Sequence, residues 1–263
     1  MPTNAPATAQ PPSRPLAGIG VVITRPAGTA GPLVRQVRAL GGLPVAVPGL
    51  SLRAIAGAET RDALLAALGD ELVIFTSPAA VRFAAKLAPL RTAATVVAVG
   101  QGTAAALRVH EIAAHVPAQR QDSEGLLALD VVGELDGRRV ALVGAPGGRG
   151  VLRRELAGRG ARLREVHVYR RVAPRLDRRH IEPLLALPAR SAVLISSAEA
   201  LEHLRHGLPG PAWERLRHAL VVVSSERLRE VAKEAGFAGI QVAASAMPAD
   251  MLQAVGEYVF TCG

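Results

Sequence analysis

The sequence predicts an α/β protein made of two similar parallel-sheet lobes. Three observations predict it. Short, continuously apolar strands alternate with helical stretches, the pattern of parallel sheets covered on both faces. The strands run out into glycines, hydroxyl pairs or arginines, which right-handed crossovers bring to one sheet edge. The strand–helix units also recur: Ile23 and Leu142 hold matching places 119 apart (142 − 23).

Composition sets the bounds. The 263 residues, 49% of them hydrophobic, suffice for one large or two medium domains. Aromatic residues are only 3%, so Ala, Val and Leu must build the core. No apolar run approaches the roughly 18 residues needed to span a membrane. The single cysteine, Cys262, excludes an internal disulfide, fits a reducing compartment or indifference to redox, and reads as a bystander; the localisation expected is cytoplasmic. The formal charge of +9 admits a nucleic acid, a small polyanion or merely an Arg-rich composition. Arginines scattered through helices, with almost no aromatics to stack on bases, disfavour nucleic acid.

In chain order, Met1 to Ala17 is rich in Pro, Ala and Thr, lacks a secretory h-region, and reads as a disordered tail. Gly20 to Leu50 gives a strand (Val21 to Ile23), a turn through Thr24-Arg25-Pro26-Ala27-Gly28, a helix and a strand (Pro44 to Val47). Leu33, Val37 and Leu40 share one helix face, and Gly41-Gly42 closes the helix. Val73 to Val81 is a buried strand ending in Thr76-Ser77, then a helix; Val193 to Leu201 repeats it with Ser196-Ser197, 120 residues on (193 − 73). Val96 to Leu107 pairs in the same way with Leu220 to Val231, which carries Ser224-Ser225. Ser123 to Leu127 pairs with Pro248 to Leu252, Ser123-Glu124 opening its helix as a cap pair.

The stretch from Arg138 to Pro174 repeats the first unit. It reads as a strand (Val140 to Val143), a glycine turn (Gly144 to Gly148), a helix with Val151, Leu152 and Leu156, and a strand from Leu163 to Tyr169. A glycine turn before a helix offers free N–H groups and a positive dipole end, and Arg149 sits there. The turn suits an anion, or simply lets the helix pack closely. It is neither a Walker A loop nor G-x-G-x-x-G, so a nucleotide is disfavoured. The hydroxyls Thr76, Ser77, Thr103, Ser123, Ser196, Ser197, Ser224 and Ser225 could hold carboxylates, or could only cap helices. His203 and His206 lie three apart without further ligands, so no metal is expected. Tyr169, beside Arg170 and Arg171, is either a half-buried strand-end aromatic or a proton donor.

Taken together, the order of motifs resembles the uroporphyrinogen-III synthase family over about residues 19 to 256. The matching residues are Thr24-Arg25-Pro26, Phe75-Thr76-Ser77-Pro78, Ala98-Val99-Gly100 with Thr103, Ser123-Glu124-Gly125-Leu126, Gly147-Gly148-Arg149, Arg159-Gly160-Ala161, and Val168-Tyr169 with Arg171. Gly144-Ala145-Pro146 departs from the family, whose members often carry Arg and an acidic residue there. A simple division would cut the chain near Asp136. The resemblance implies instead flavodoxin-like lobes with a cleft between them: a discontinuous domain of 18–50 plus 175–263, an inserted domain of 56–167, and linker strands 51–55 and 168–174. It further implies a cofactor-free hydro-lyase that closes the linear tetrapyrrole hydroxymethylbilane with inversion of the terminal pyrrole. Tyr169 would then be the acid, and Arg25, Thr76, Ser77, Thr103, Ser123, Arg149, Ser196, Ser197, Ser224 and Ser225 would hold carboxylates. Substrate handover from porphobilinogen deaminase, a monomer, no membrane and no nucleic acid complete that expectation. The rival is a non-catalytic two-domain binding protein for a small polyanion.

Overall fold

The computed structural model describes residues 14–118, 120, 122–147 and 150–261. Two units emerge: one runs to Ser51 and resumes at Val172, and the other spans Leu52–Arg171. A cut near Asp136 would fall inside the second. In chain order the elements are β1 (Gly20–Ile23), α1 (Gly31–Ala39), β2 (Leu43–Ala46), β3 (Ser51–Ala54), α2 (Ala58–Leu68), β4 (Leu72–Phe75), α3 (Pro78–Leu87), β5 (Thr95–Ala98) and α4 (Gln101–Arg108). There follow α5 (Ser123–Leu127), β6 (Arg139–Gly144), α6 (Val151–Gly158), β7 (Arg162–His167), β8 (Tyr169–Val172), α7 (Arg178–Leu185), β9 (Ser191–Ile195) and α8 (Ala198–Gly207). The chain ends with α9 (Gly210–Arg217), β10 (Leu220–Val223), α10 (Glu226–Glu234), β11 (Ile240–Val242) and α11 (Pro248–Thr261).

The first unit holds a parallel sheet in the order β11-β10-β9-β1-β2, and the second a parallel sheet in the order β5-β4-β6-β7. β3 and β8 form a separate two-stranded sheet. Strand side chains alternate, so each sheet is apolar on both faces. In the first unit Val22, Val193 and Val221 pack with Leu184, Leu204 and Leu216, while Val21, Ile23 and Leu194 pack with Leu33, Val37 and Val255. In the second unit Val73, Phe75 and Val143 meet the helices α2, α3 and α4, while Leu72, Ile74 and Val140 meet Leu126, Leu152 and Leu156.

The internal duplication extends to register. Val21 pairs with Pro44 and Ala192; Val140 pairs with Leu163 and Leu72. The offsets are 119 (140 − 21, 163 − 44) and 120 (192 − 72). The left-handed glycines repeat too: Gly28 (φ +79°) with Gly147 (φ +73°), and Gly41 (φ +85°) with Gly160 (φ +80°). At Gly160 a side chain would also run into Asp136, its Cβ only 2.5 Å from a carboxylate oxygen. The preceding Arg159 donates to the Leu127 and Val132 carbonyls at 2.9 and 2.7 Å, tying α6 to the segment after α5.

Four expectations change. First, the pairing of Val96 with Leu220 is off by one: Leu72 pairs with Thr95 where Ala192 pairs with Leu220, an offset of 125 (220 − 95). The helix starts Gly100 and Ser225 keep that same offset, and a one-residue slip would exchange the two faces of the strand. Second, the expected strand from Leu163 to Tyr169 is two strands. The ladder changes hands at Val168, whose N–H bonds the Gly144 carbonyl at 3.0 Å while its own carbonyl accepts from Ile55 N–H at 3.1 Å. Third, the cap of α5 is Asp122, which accepts from Gly125 N–H at 2.9 Å; Ser123 is the first helical residue. Fourth, the tail of 1–17 is too long. Leu16 is fully buried among Val21, Val37 and Val255, and its N–H bonds the Leu40 carbonyl at 3.0 Å. Met1 to Ser13 lie outside the described residues.

Leu16→Ala should therefore lower the unfolding free energy by about 2–5 kcal/mol, as other buried Leu truncations do. Chemical denaturation checks this; an unchanged midpoint would return Leu16 to the tail.

Candidate functional site

Parallel strands with right-handed crossovers place all their carboxyl ends on one edge. In the second unit that edge holds a cavity of about 510 Å³. Thr76 and Ser77 reach it from the end of β4, Gly144 to Gly147 from β6, Glu165 and His167 from β7, Tyr169 and Arg171 from β8, and Ser123 from α5.

Tyr169 is the most constrained of these. Only 6% of the residue is exposed, and its ring stacks on Phe83 with centroids 5.3 Å apart. Its hydroxyl lies 3.1 Å from Ser77 Oγ. Ser77 caps α3, so the same Oγ accepts the Ala80 N–H at 3.0 Å. The phenol oxygen thus sits at the amino end of a helix, where a negative charge is stabilised. Thr76 Oγ1 donates to the Val143 carbonyl at 3.2 Å. Gly144 makes room for it: a Cβ at 144 would lie 2.3 Å from Thr76 Oγ1. That close approach accounts for glycine at position 144.

The glycine turn starts one residue later than expected, because Gly144 stays in the ladder opposite His167. Arg171 Nη2 donates to the Pro146 carbonyl at 3.0 Å and ties β8 to the turn. Gly148 and Arg149 lie outside the described residues, Arg149 being one of the expected anion-binding groups.

The remaining candidates divide. Arg25 and Ser196 come together on the first unit, in a narrow pocket with Thr24 and Pro248. Arg25 Nη2 donates to the Ala246 carbonyl at 3.3 Å, and burial lowers its pKa from the usual guanidinium value. Ser197 is engaged as the cap of α8, accepting Ala200 N–H at 3.3 Å. Ser225 occupies the cap position of α10 without a side-chain capping bond, and Ser224 precedes it, half-buried. Thr103, in α4, is 3% exposed and is not among the residues lining the cavity. His203 turns Nδ1 to the Gly49 carbonyl at 3.0 Å, and His206 pairs with Glu202. Among the described residues no three His, Cys, Asp or Glu are grouped to hold a metal. Another cavity, of about 460 Å³, opens at the amino ends of the first unit's strands and is lined by none of the described candidates.

Sequence reasoning missed Arg153, Glu165 and His167, which all line the cavity of the second unit. Glu165 Oε1 lies 3.6 Å from Arg153, and Oε2 lies 3.7 Å from His167 Nε2. The alternation Leu163, Glu165, His167 along a strand end was the available signal.

Comparison with known proteins places the chain. A family model described as uroporphyrinogen-III synthase HemD matches residues 31–253. A uroporphyrinogen-III synthase of Salmonella typhimurium is 31% identical over 197 residues, covering 71% of this chain and 78% of that protein. Among solved structures, a mutant uroporphyrinogen III synthase of Thermus thermophilus aligns over 92% of this chain and 99% of its own, with TM-score 0.58 and 22% identity. The uroporphyrinogen-III synthetase of Helicobacter pylori aligns over 93% and 100%, with TM-score 0.60 and 14% identity, and like the first shows the shared fold. The family match over most of the chain and the close curated relative settle the assignment: this chain belongs to the uroporphyrinogen-III synthase family.

Proposed function

We propose that the cavity of the second unit takes hydroxymethylbilane and that Tyr169 gives the proton on which ring closure depends. Family membership makes the protein a cyclising lyase of heme biosynthesis, and the rival reading as a non-catalytic receptor gives way to it. The proposal adds where the chemistry happens.

The single observation that carries it is the setting of Tyr169: a phenol fixed by Phe83, bonded to Ser77 and opening on a cavity at the sheet edge. As the substrate's hydroxymethyl C–O bond breaks, the phenol proton goes to the departing oxygen and water leaves. The pyrrole nitrogen lone pair pushes electrons to the exocyclic carbon as the C–O bond breaks, giving an azafulvenium cation that balances the phenolate. The substituted carbon of the terminal pyrrole attacks it, the resulting spiro ring reopens, and closure follows the other way round. The last proton lost from the closing carbon returns to the phenolate, so hydroxymethylbilane becomes uroporphyrinogen III and water. Ser77 and the amino end of α3 hold the phenolate in the interval. Tight anchoring of the carboxylates keeps the chain in the inverting conformation. Thr76, Ser123 and Arg149 are proposed as anchors in the second unit, with Arg25, Ser196, Ser197, Ser224 and Ser225 in the first. Thr103, in the first turn of α4, is proposed with them as a carboxylate-binding residue. Work as a cytoplasmic monomer supplied by porphobilinogen deaminase belongs to the same reading. It is supported by the family resemblance alone; among the described residues no helix is long and apolar enough to cross a membrane.

Tyr169→Phe should keep the fold and slow closure about 10²–10⁴-fold, the usual worth of general acid catalysis. Its surviving product should remain mainly the type III isomer, since conformation and not the phenol selects it. Near-normal turnover would remove Tyr169 from the mechanism. Gly144→Ala should cost about 1–3 kcal/mol of stability by driving a methyl into Thr76 Oγ1. Adding Thr76→Ala should recover much of that loss, and two additive penalties in thermal unfolding would contradict the contact.

A further inference from the structure

The cavity of the second unit carries a charged cluster that the mechanism above does not use. Glu165 and His167 sit two apart at the carboxyl end of β7, so they share one face of that strand. Both line the cavity, as does Arg153 from α6. Glu165 is shared between the two: Oε1 lies 3.6 Å from Arg153 Nη1 and Oε2 lies 3.7 Å from His167 Nε2. The His167 side chain is 39% exposed and that of Glu165 33%. Among the described residues, the other charged and titratable groups lining the cavity are Tyr169 and Arg171 on β8, and Arg171 is bonded to the Pro146 carbonyl.

The arrangement has a chemical consequence. Glu165 Oε2 faces His167 Nε2 across 3.7 Å. Only a doubly protonated, positive ring can offer one N–H towards Glu165 and the other to an incoming anion at the same time. Carboxylates remain ionised above about pH 5, whereas imidazole as a class changes charge between about pH 5 and 8. A carboxylate entering beside His167 therefore favours the protonated ring, and by linkage protonation favours the carboxylate. Arg153 offsets the charge of Glu165, which would otherwise repel the ligand.

We propose that His167 is a substrate-binding residue that holds one carboxylate of the tetrapyrrole, its imidazole taking up a proton as the ligand enters. This rests on the reading of the cavity as the substrate site. Binding then weakens as pH rises, because the charged ring becomes scarcer. Proton transfer in ring closure stays with Tyr169, so His167 governs KM more than kcat.

The test is steady-state kinetics with prepared hydroxymethylbilane between pH 6 and 8, corrected for spontaneous closure, on three proteins. The wild type should show KM rising with pH. His167→Gln should show KM about tenfold above wild type at pH 6, nearly flat in pH, with a much smaller change in kcat. His167→Arg, which carries a permanent charge, should restore a low KM that no longer depends on pH. A merely structural histidine would not be rescued in this way. If His167→Gln keeps the wild-type pH profile of KM, or if the Arg variant behaves as the Gln variant does, the proposal is overturned. If the wild type itself yields no type III product at any pH, the reading of the cavity fails first, and this proposal with it.

Discussion

Parallel pairing along β6 is the constraint on which the chemical part of the second unit depends. β6 lies between β4 and β7, and both neighbours run in its direction. All three strands therefore discharge at one edge, and the residues that follow them have nowhere else to go. The register brings Gly144 opposite His167 and sends the Thr76 N–H to the Val143 carbonyl at 3.1 Å. The hydroxyl of Thr76 then occupies the space where a side chain at 144 would stand. One residue further on, Val168 passes the ladder to the β3–β8 sheet and thereby fixes where Tyr169 emerges.

Two demands meet at Ser77 without conflict. Its hydroxyl closes an open N–H of α3, which any parallel α/β protein needs at a helix start, and it also bonds the phenol of Tyr169. A hydroxyl has two lone pairs and one proton, so it can serve both. The choice between cap and ligand, open when the sequence is read alone, thus has a third answer: Ser77 caps a helix and orients the group that acts. Ser197, its counterpart in the other unit, caps α8. The charged cluster behind His167 follows the same economy, since Glu165 meets Arg153 and His167 with its two oxygens.

Much of the fold was legible because backbone requirements leave residue-level traces. Left-handed turns demand glycine, so Gly28, Gly41, Gly147 and Gly160 recur with a common offset. Strands buried on both faces demand unbroken apolar runs, so β4 and β9 stand out. What the sequence hid was local. Nothing in Leu163 to Tyr169 marks the break at Val168, because both halves have strand character and only the partner strand changes. Leu16 lies in a Pro-rich stretch whose composition speaks for disorder, while a single leucine carries the burial. Glu165 and His167 match no motif, and charged residues on an edge strand are common. A hydroxyl in the first turn of a helix can face either way, so the burial of Thr103 could not be read from its position.

The central claim is that this chain steers a reactive linear tetrapyrrole to the inverted ring, work done chiefly by holding its conformation. Spontaneous closure gives the uninverted isomer, so the product itself reports whether the protein acts. The direct measurement is an assay coupled to porphobilinogen deaminase, with the uroporphyrin isomers resolved after oxidation. The account predicts that adding the purified protein shifts the product from type I to type III. Type I alone, formed at the uncatalysed rate in the presence of folded protein, would contradict it.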